Sequence, residues 1–141
     1  MESVAPEPLS IVGVVADQVG TPRNDGTPGS ALYAVPIRLN REPDEFERRF
    51  LIETWDRPPS WSTMHRPGIM KVRGDGTLIL DGTKIDEVRD VHAKTLRLVV
   101  DRVNQLAQEE RRRGAAELAR RESDRQAHEE HVAEVTKEIE F

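Results

Sequence analysis

The chain of 141 residues contains no cysteine, and aromatic residues make up only 4% of it. The absence of cysteine excludes disulfides, thiolate catalysis and cysteine zinc sites. No segment approaches the roughly 20 consecutive apolar residues that a membrane-spanning helix needs. The N-terminus also lacks the basic and then apolar pattern of a secretory signal. We therefore expect a cytoplasmic protein that does not enter a membrane.

The chain contains basic and acidic residues in similar numbers. The net charge is −5 although 33% of the residues are charged, and neither half of the chain is basic. This argues against avid, nonspecific nucleic-acid binding, which needs a strongly positive surface. Only 36% of the residues are hydrophobic, so part of the chain is expected to lie outside any core. Most basic residues are arginine, a usage typical of a GC-rich bacterial genome.

Four segments in the first part of the chain have the pattern of strands. Leu9–Val19 is short, apolar and rich in β-branched residues, which predicts a buried strand. Residues 31–39 alternate with period two and predict a second strand, in which Pro36 indicates an edge or a bulge. Two short strands follow at 69–73 and 77–81, separated by a Gly-Asp-Gly hairpin signal.

Two segments carry apolar residues at helical spacing. The first helix is predicted to open at Pro43 and to end before Pro58, with its stripe at Phe46, Phe50, Leu51 and Trp55. The second is predicted to begin after Thr83, which resembles an N-cap with Asp86 three residues on. Its stripe runs through Ile85, Val88, His92, Leu96, Val99, Val103 and Leu106.

This element order predicts an α+β fold, a small antiparallel four-stranded sheet in ββαββα order with two helices on one face. We expect a flexible leader at residues 1–8, a compact domain at 9–107 and a charged helical C-terminal arm at 108–141. If residues 83–131 form one helix, it spans roughly 70 Å. That is about twice the width of a compact domain, so the last helix is expected to be long and projecting.

The arm is rich in good helix formers but carries few apolar side chains, such as Leu118. One interpretation is a solvated, partly frayed tail. The other is an arm that self-associates or docks on a partner, because the end of the chain becomes apolar again. The apolar residues there are Val132, Val135, Ile139 and Phe141, and an exposed apolar patch usually marks a contact site.

Residues 55–68, WDRPPSWSTMHRPG, concentrate residue types that are common at contact hot spots. Trp55 belongs to the apolar stripe of the first predicted helix, so it is expected to be buried at the end of the core. No periodic pattern buries Trp61, Met64, His65 or Arg66, for which we expect a surface role in partner binding, although Trp61 could also close the core.

No segment predicts an active site, a metal site or a cofactor site. Asp56, Ser60, Ser62 and His65 include the residue types of a hydrolase triad, but no nucleophile elbow is present. His128 and His131 lack a third well-placed metal ligand. His92 lies in an apolar stripe and is interpreted as a core residue with its hydrogen bonds satisfied. We therefore expect no enzyme activity, no metal and no cofactor.

The sequence as a whole favours a noncatalytic protein-interaction module that acts through the helical arm and the tryptophan loop. The expected assembly is a homo-oligomer or a subunit of a larger complex. The alternative is a nucleic-acid-binding accessory protein, which would use the arginine run Arg111, Arg112 and Arg113. Glu109 and Glu110 precede this run, so a solvated helix face is the simpler interpretation.

Overall fold

The computed structural model describes residues 6–141, so residues 1–5 of the predicted leader lie outside the described part of the chain. The predicted α+β fold with a four-stranded antiparallel sheet is confirmed, and the strand order is β1-β2-β4-β3. The strands are β1 (Ile11–Val14), β2 (Tyr33–Leu39), β3 (Met70–Val72) and β4 (Thr77–Thr83). The described chain divides into two compact units, with the boundary after Ala107.

The two longest strands, β2 and β4, form the centre of the sheet. Val35 lies opposite Leu80, and Ile37 lies opposite Leu78. All four side chains are buried, with at most 2% of their surface exposed. Since successive side chains of a strand point to opposite faces, this register places the apolar set of both strands against the helices, as the period-two pattern predicts.

The turn between β3 and β4 requires glycine at Gly76. Its φ is +87°, and a Cβ at this position would lie 2.8 Å from the Cα of Glu42. A side chain would therefore meet both a backbone clash and an unfavourable dihedral. The predicted Gly-Asp-Gly hairpin is confirmed, and its last glycine also lets the turn approach the segment that leads into the first helix.

β1 differs from the prediction in length and in burial. A strand is confirmed within Leu9–Val19, but the predicted length and burial are wrong, because the strand covers only Ile11–Val14 and a 3-10 turn follows at Ala16–Gln18. β1 is an edge strand with β2 as its one neighbour. Val12 is 64% exposed and Val14 is 39% exposed. The β-branched composition indicates a strand, but it does not specify whether another strand covers its outer side.

Pro36 lies in an interior strand, and it is paired in regular register with Ile79. The expected bulge is absent at this residue, but the expected edge is present locally, because β1 ends at Val14 and the side of Pro36 that faces β1 lies at the end of the ladder. The carbonyl of Pro36 accepts a hydrogen bond from the backbone N–H of Val15, and the amide side of an antiparallel residue faces the same way. The missing N–H of Pro36 thus points past Val14, where β1 has already ended, and leaves no ladder hydrogen bond unmade.

Helix α1 spans Glu45–Asp56, so it does not open at Pro43 as predicted. A capping box sets its first residue. The Asp44 side chain accepts from the Glu47 backbone N–H at 2.8 Å, and the Glu47 side chain accepts from the Asp44 backbone N–H at 2.9 Å. This reciprocal pair satisfies two donors that have no partner within the helix, and Pro43 lies just before the cap.

The apolar stripe of α1 is only partly buried. Leu51 and Trp55 are fully buried, whereas Phe46 is 46% exposed. The guanidinium of Arg49 lies 5.6 Å from the ring centre of Phe46 and 5.3 Å from that of Phe50. These distances allow cation–π contacts. The start of the stripe is therefore covered by a surface arginine rather than by the core.

The second helical run begins one residue later than predicted. Thr83 is the last residue of β4, and Lys84 is the N-cap, without a side-chain capping bond. Thr83 is not a cap because its hydroxyl donates to the Glu87 carboxylate at 2.9 Å instead. The run consists of α2 (Ile85–Glu87), a π-helical turn (Val88–His92) and α3 (Ala93–Glu138).

α3 continues through Gly114 without a break and ends at Glu138. Its buried residues are Thr95, Leu96, Val99, Val100, Val103 and Ala107, all of which belong to the first unit. No helix among residues 6–141 is both long and apolar enough to cross a membrane. The buried apolar side chains among residues 6–141 thus all belong to the first unit, while the second unit, Gln108–Phe141, contains no buried residue.

Candidate functional site

Trp55 is the buried anchor of the tryptophan loop, residues 55–68. It lies at the end of α1 with 0% of its surface exposed. Its indole N–H donates to the carbonyl of Arg66 at 2.9 Å. The ring centre lies 4.5 Å from that of His65 and 5.4 Å from that of His92. The side chain fills the core and also holds the far end of the loop, because its one polar atom has a partner there.

His65 and Arg66 lie at the base of the loop, not at its tip. Nε2 of His65 is 2.7 Å from the carbonyl oxygen of Trp55, and since a carbonyl only accepts, Nε2 carries the proton. Arg66 donates to both carboxylate oxygens of Glu87, each at 2.8 Å. Sequence reasoning missed this pairing with Glu87, because no local pattern connects residues 21 positions apart.

The Glu87 carboxylate is the charged centre of this cluster. The hydrogen bond from Arg66, opposed by burial and assisted by the Thr83 hydroxyl, lowers the pKa of Glu87 to about 2. Bidentate arginine–carboxylate pairs are both strong and fixed in geometry. Glu87 is therefore ionised at neutral pH, and it ties the tryptophan loop to the start of the second helical run.

Trp61 and Met64 form the exposed tip of the loop. Trp61 is 60% exposed and Met64 is 49% exposed. The Trp61 ring meets the edge of His65, with 5.2 Å between ring centres and 89° between planes. The loop thus presents two large apolar side chains from a base that hydrogen bonds and an ion pair hold in place, and such preorganisation favours binding because less freedom is lost.

His92 is a core residue, as the sequence indicates, but the expectation that its hydrogen bonds are satisfied is wrong. It is fully buried, and neither ring nitrogen has a hydrogen-bond partner among the described residues. The nearest charge is a Glu87 carboxylate oxygen, 3.6 Å from Nε2. Burial lowers the pKa of His92 below its usual value of 6.5; Glu87 opposes this shift, and the charges of His65 and Arg66 add to it.

This geometry predicts that acid weakens the fold through His92. Near pH 6.5 the unfolded chain binds a proton at this residue more readily than the folded chain, so the free energy of unfolding falls as the pH falls. The contribution is complete above the unfolded pKa and is lost as the pH drops towards the lower folded pKa. We expect His92→Leu to flatten this dependence between about pH 7 and pH 5.

Urea titrations at several pH values measure this effect. The matched control is His128→Gln, because His128 is exposed on α3 and its replacement should leave the pH dependence unchanged. An equal slope in wild type and in His92→Leu would show that His92 is not the group responsible.

His65 and Asp56, which have the residue types of a catalytic triad, form other hydrogen bonds. Nε2 of His65 is engaged with the Trp55 carbonyl, and a carboxylate oxygen of Asp56 accepts from the backbone N–H of Gly68 at 2.7 Å. Neither contact belongs to a serine–histidine–aspartate relay. Among residues 6–141, no group of three histidine, aspartate or glutamate side chains is placed to hold a metal ion.

Ion pairs between residues three and four positions apart stabilise the helix of the second unit. Glu117 pairs with Arg120 at 2.6 Å and with Arg121 at 3.1 Å, and Arg120 also reaches Asp124 at 3.3 Å. Arg125 continues the series to Glu122 and Glu129. A helix that is polar on all sides depends on such pairs three and four residues apart. Each is exposed and contributes little, but several act along one face.

The arginine run lies within this charged helix. Arg113 pairs with Glu110 at 3.5 Å, and its side chain is 75% exposed. Arg111 and Arg112 occupy the preceding helical positions. Acidic neighbours thus accompany the run, as they do for Arg120 and Arg125 further along.

The large apolar side chains of the second unit are exposed. Leu118 is 67% exposed, Val132 47%, Val135 39% and Ile139 51%, and Phe141 is fully exposed. Val132 and Val135 lie in the last turns of α3, while Ile139 and Phe141 follow its final residue, Glu138. The spacing of three residues places Val132 and Val135 on one side of α3, and Ile139 lies just beyond the end of the helix. We name these three residues and Phe141 the apolar end.

The structure therefore places His65 and Arg66 against Trp55, and it leaves Trp61, Met64 and the predicted arm residues exposed. No protein-family model, no curated protein and no solved structure matches this chain.

Proposed function

We propose that this protein is a noncatalytic assembly module that self-associates through its helical arm, with the tip of the tryptophan loop as a second contact surface. Docking on a different protein through the same surfaces is the alternative form of this proposal. A cytoplasmic location remains part of it. The observation that carries the proposal is the apolar end, four large apolar side chains that are 39% exposed or more in a unit without any buried residue.

Exposed apolar side chains on an otherwise charged helix favour a contact. The residues that precede the apolar end are polar or charged and exposed, so the apolar side chains stand out from their surroundings. Burying a valine or isoleucine contributes about 1.5–3 kcal/mol. Val132 and Val135 lie at i and i+3 of α3, a spacing by which amphipathic helices dock into grooves or onto one another, and Ile139 follows directly after this helix.

The tryptophan loop supports the same proposal independently. Interface hot spots are enriched in tryptophan, and energetically important side chains usually come from a fixed backbone. Trp61 meets both criteria, and Met64 meets the second, since Trp55, His65 and Arg66 hold the base of the loop in the first unit.

The proposal predicts that charges at the apolar end weaken assembly. Val132→Glu, Val135→Glu and Ile139→Glu together are expected to weaken self-association about 100-fold or more, because three apolar contacts are lost and three carboxylates would be desolvated. Light scattering coupled to a sizing column measures the molar mass of both proteins at matched concentrations.

The control adds the same charge on another side of the helix. Ser123, Gln126 and Ala133 are exposed and lie away from the side that carries Val132 and Val135. The triple substitution to glutamate at these positions should leave the molar mass near that of wild type. If both triple variants assemble as wild type does, the apolar end is not a contact surface.

Nucleic-acid binding through Arg111, Arg112 and Arg113 stays a prediction that no structural observation favours. Acidic residues pair with the neighbouring arginines of the arm, which reduces the positive potential that a phosphate backbone would meet.

A further inference from the structure

We propose that the edge of β1 and the beginning of α3 form a separate, self-complementary interface at which two copies of this chain pair about a twofold axis. This interface lies entirely within the first unit. It does not depend on the arm, so it goes beyond the function proposed above.

A groove of about 500 Å³ runs between β1 and α3. It is lined on the sheet side by Leu9, Ile11, Val14 and Ile37, and on the helix side by Val88, Leu96, Arg97, Val100 and Asp101, among others. α1 packs beside β3 at the opposite edge of the sheet. Among residues 6–141, no α-helix other than α3 thus lies beside the β1 edge, and the core-facing side chains of β1 line the groove.

The apolar surface of the groove continues onto the edge of β1. Val14 lies opposite Ile37, on the face that packs against the helices, yet it remains 39% exposed. Val12 lies at the irregularity in register between Ile11 and Gly13 and is 64% exposed. A strand edge with unpaired backbone groups, beside an apolar groove, is a surface on which a second chain can bind. The bulge interrupts the ladder there, so side-chain packing carries this contact.

The charges at the groove are complementary to their own copy about a twofold axis. Arg97 and Asp101 lie four residues apart on α3, line the groove and are both exposed. Neither has an ion-pair partner among residues 6–141. In an isologous interface, residue i of one copy meets residue j of the other, and j meets i. Antiparallel packing of two α3 segments places Arg97 against the Asp101 of the second copy, twice.

This pattern favours a second copy over an unrelated partner. An acidic peptide would be opposed by Asp101, and a basic one by Arg97, whereas a second copy satisfies both charges with one set of contacts. The apolar strip at Val12 and Val14 faces its own equivalent in the same arrangement. Like charges in contact across an interface weaken binding strongly, which makes the arrangement testable by exchanging the charges.

The test uses the full chain with Val132→Glu, Val135→Glu and Ile139→Glu as the parent, so that the arm does not contribute. We expect this parent to dimerise. Arg97→Glu alone and Asp101→Arg alone should each weaken dimerisation tenfold or more, because each creates two like-charged contacts. An equimolar mixture of the two variants should recover the parent affinity, since both contacts are again between opposite charges. Sedimentation velocity and native mass spectrometry measure the species.

The mixture also reports on folding, because only folded chains can recover a one-to-one dimer. If the parent is monomeric while wild type is oligomeric, this interface does not exist and the arm proposal stands. If parent and wild type form the same dimer, this interface stands and assembly through the arm is wrong. If the mixture shows no recovery over the single variants, the twofold pairing of Arg97 with Asp101 is overturned.

Discussion

Replacing Trp55 by alanine is expected to lower the free energy of unfolding by about 3–5 kcal/mol. The indole is fully buried, so its removal leaves a large cavity between the end of α1 and the π-helical turn. The substitution also removes the hydrogen bond to the Arg66 carbonyl. We expect the base of the tryptophan loop to loosen as a result, even where the rest of the core stays folded.

The second tryptophan provides the matched control. Trp61 is 60% exposed, so Trp61→Ala should change the free energy of unfolding by no more than about 0.5 kcal/mol. Urea denaturation followed by circular dichroism measures both variants. Equal losses for the two substitutions would contradict the assignment of Trp55 as anchor and Trp61 as exposed tip.

Replacing Arg41 by alanine is expected to cost about 3–5 kcal/mol, because it removes the partner of a buried charge. Glu47 has 0% of its surface exposed. Its two carboxylate oxygens accept from the Arg41 guanidinium at 2.8 Å and 2.7 Å. Without this partner the carboxylate must be desolvated with only backbone donors to compensate, and the capping box of α1 is weakened together with it.

A second substitution separates the charge from the lost packing. Adding Glu47→Gln to Arg41→Ala should recover part of the loss, since a neutral amide still accepts from the backbone of Asp44 without a buried charge. Arg23→Ala is the control. Its pair with Asp25 is long, at 3.7 Å, and exposed, so its loss should leave the free energy of unfolding close to that of wild type. Thermal and urea unfolding measure all three proteins.

Local patterns predicted the elements that are governed by local physics. The alternation along β2 indicates its buried face because Val35 and Ile37 must share one side of the sheet. Gly76 indicates the hairpin because the turn requires a positive φ. The apolar stripe through Leu96, Val99 and Val103 predicts the buried side of α3.

The predictions that are wrong depend on contacts between residues that are far apart in the sequence. The position of β1 at the edge of the sheet depends on strand order, which the composition of β1 does not contain. Thr83 has the residue type and spacing of an N-cap, but the bond to Glu87 competes for its hydroxyl. His92 follows the apolar spacing, and spacing alone does not show that its ring nitrogens lack partners. The composition of the tryptophan loop indicates a contact surface. It does not indicate that an ion pair between Arg66 and Glu87 fixes this loop.

The buried and exposed parts of the tryptophan loop have different roles in this account. Trp55, His65 and Arg66 fix the backbone through hydrogen bonds and an ion pair, and Trp61 and Met64 remain free to contact a partner. The apolar end of the arm is supported differently, by ion pairs along the helix that precedes it. The two surfaces should therefore respond differently to salt, which screens exposed ion pairs but not buried hydrogen bonds.

Molar mass as a function of protein concentration tests self-assembly most directly. The chain has a mass of 16.0 kDa, and light scattering on the unmodified full chain reports the mass without any assumption about shape. Self-association predicts a mass above that of one chain, and this mass rises with concentration, as mass action requires. A mass of 16.0 kDa at every concentration would show that this protein does not assemble with itself.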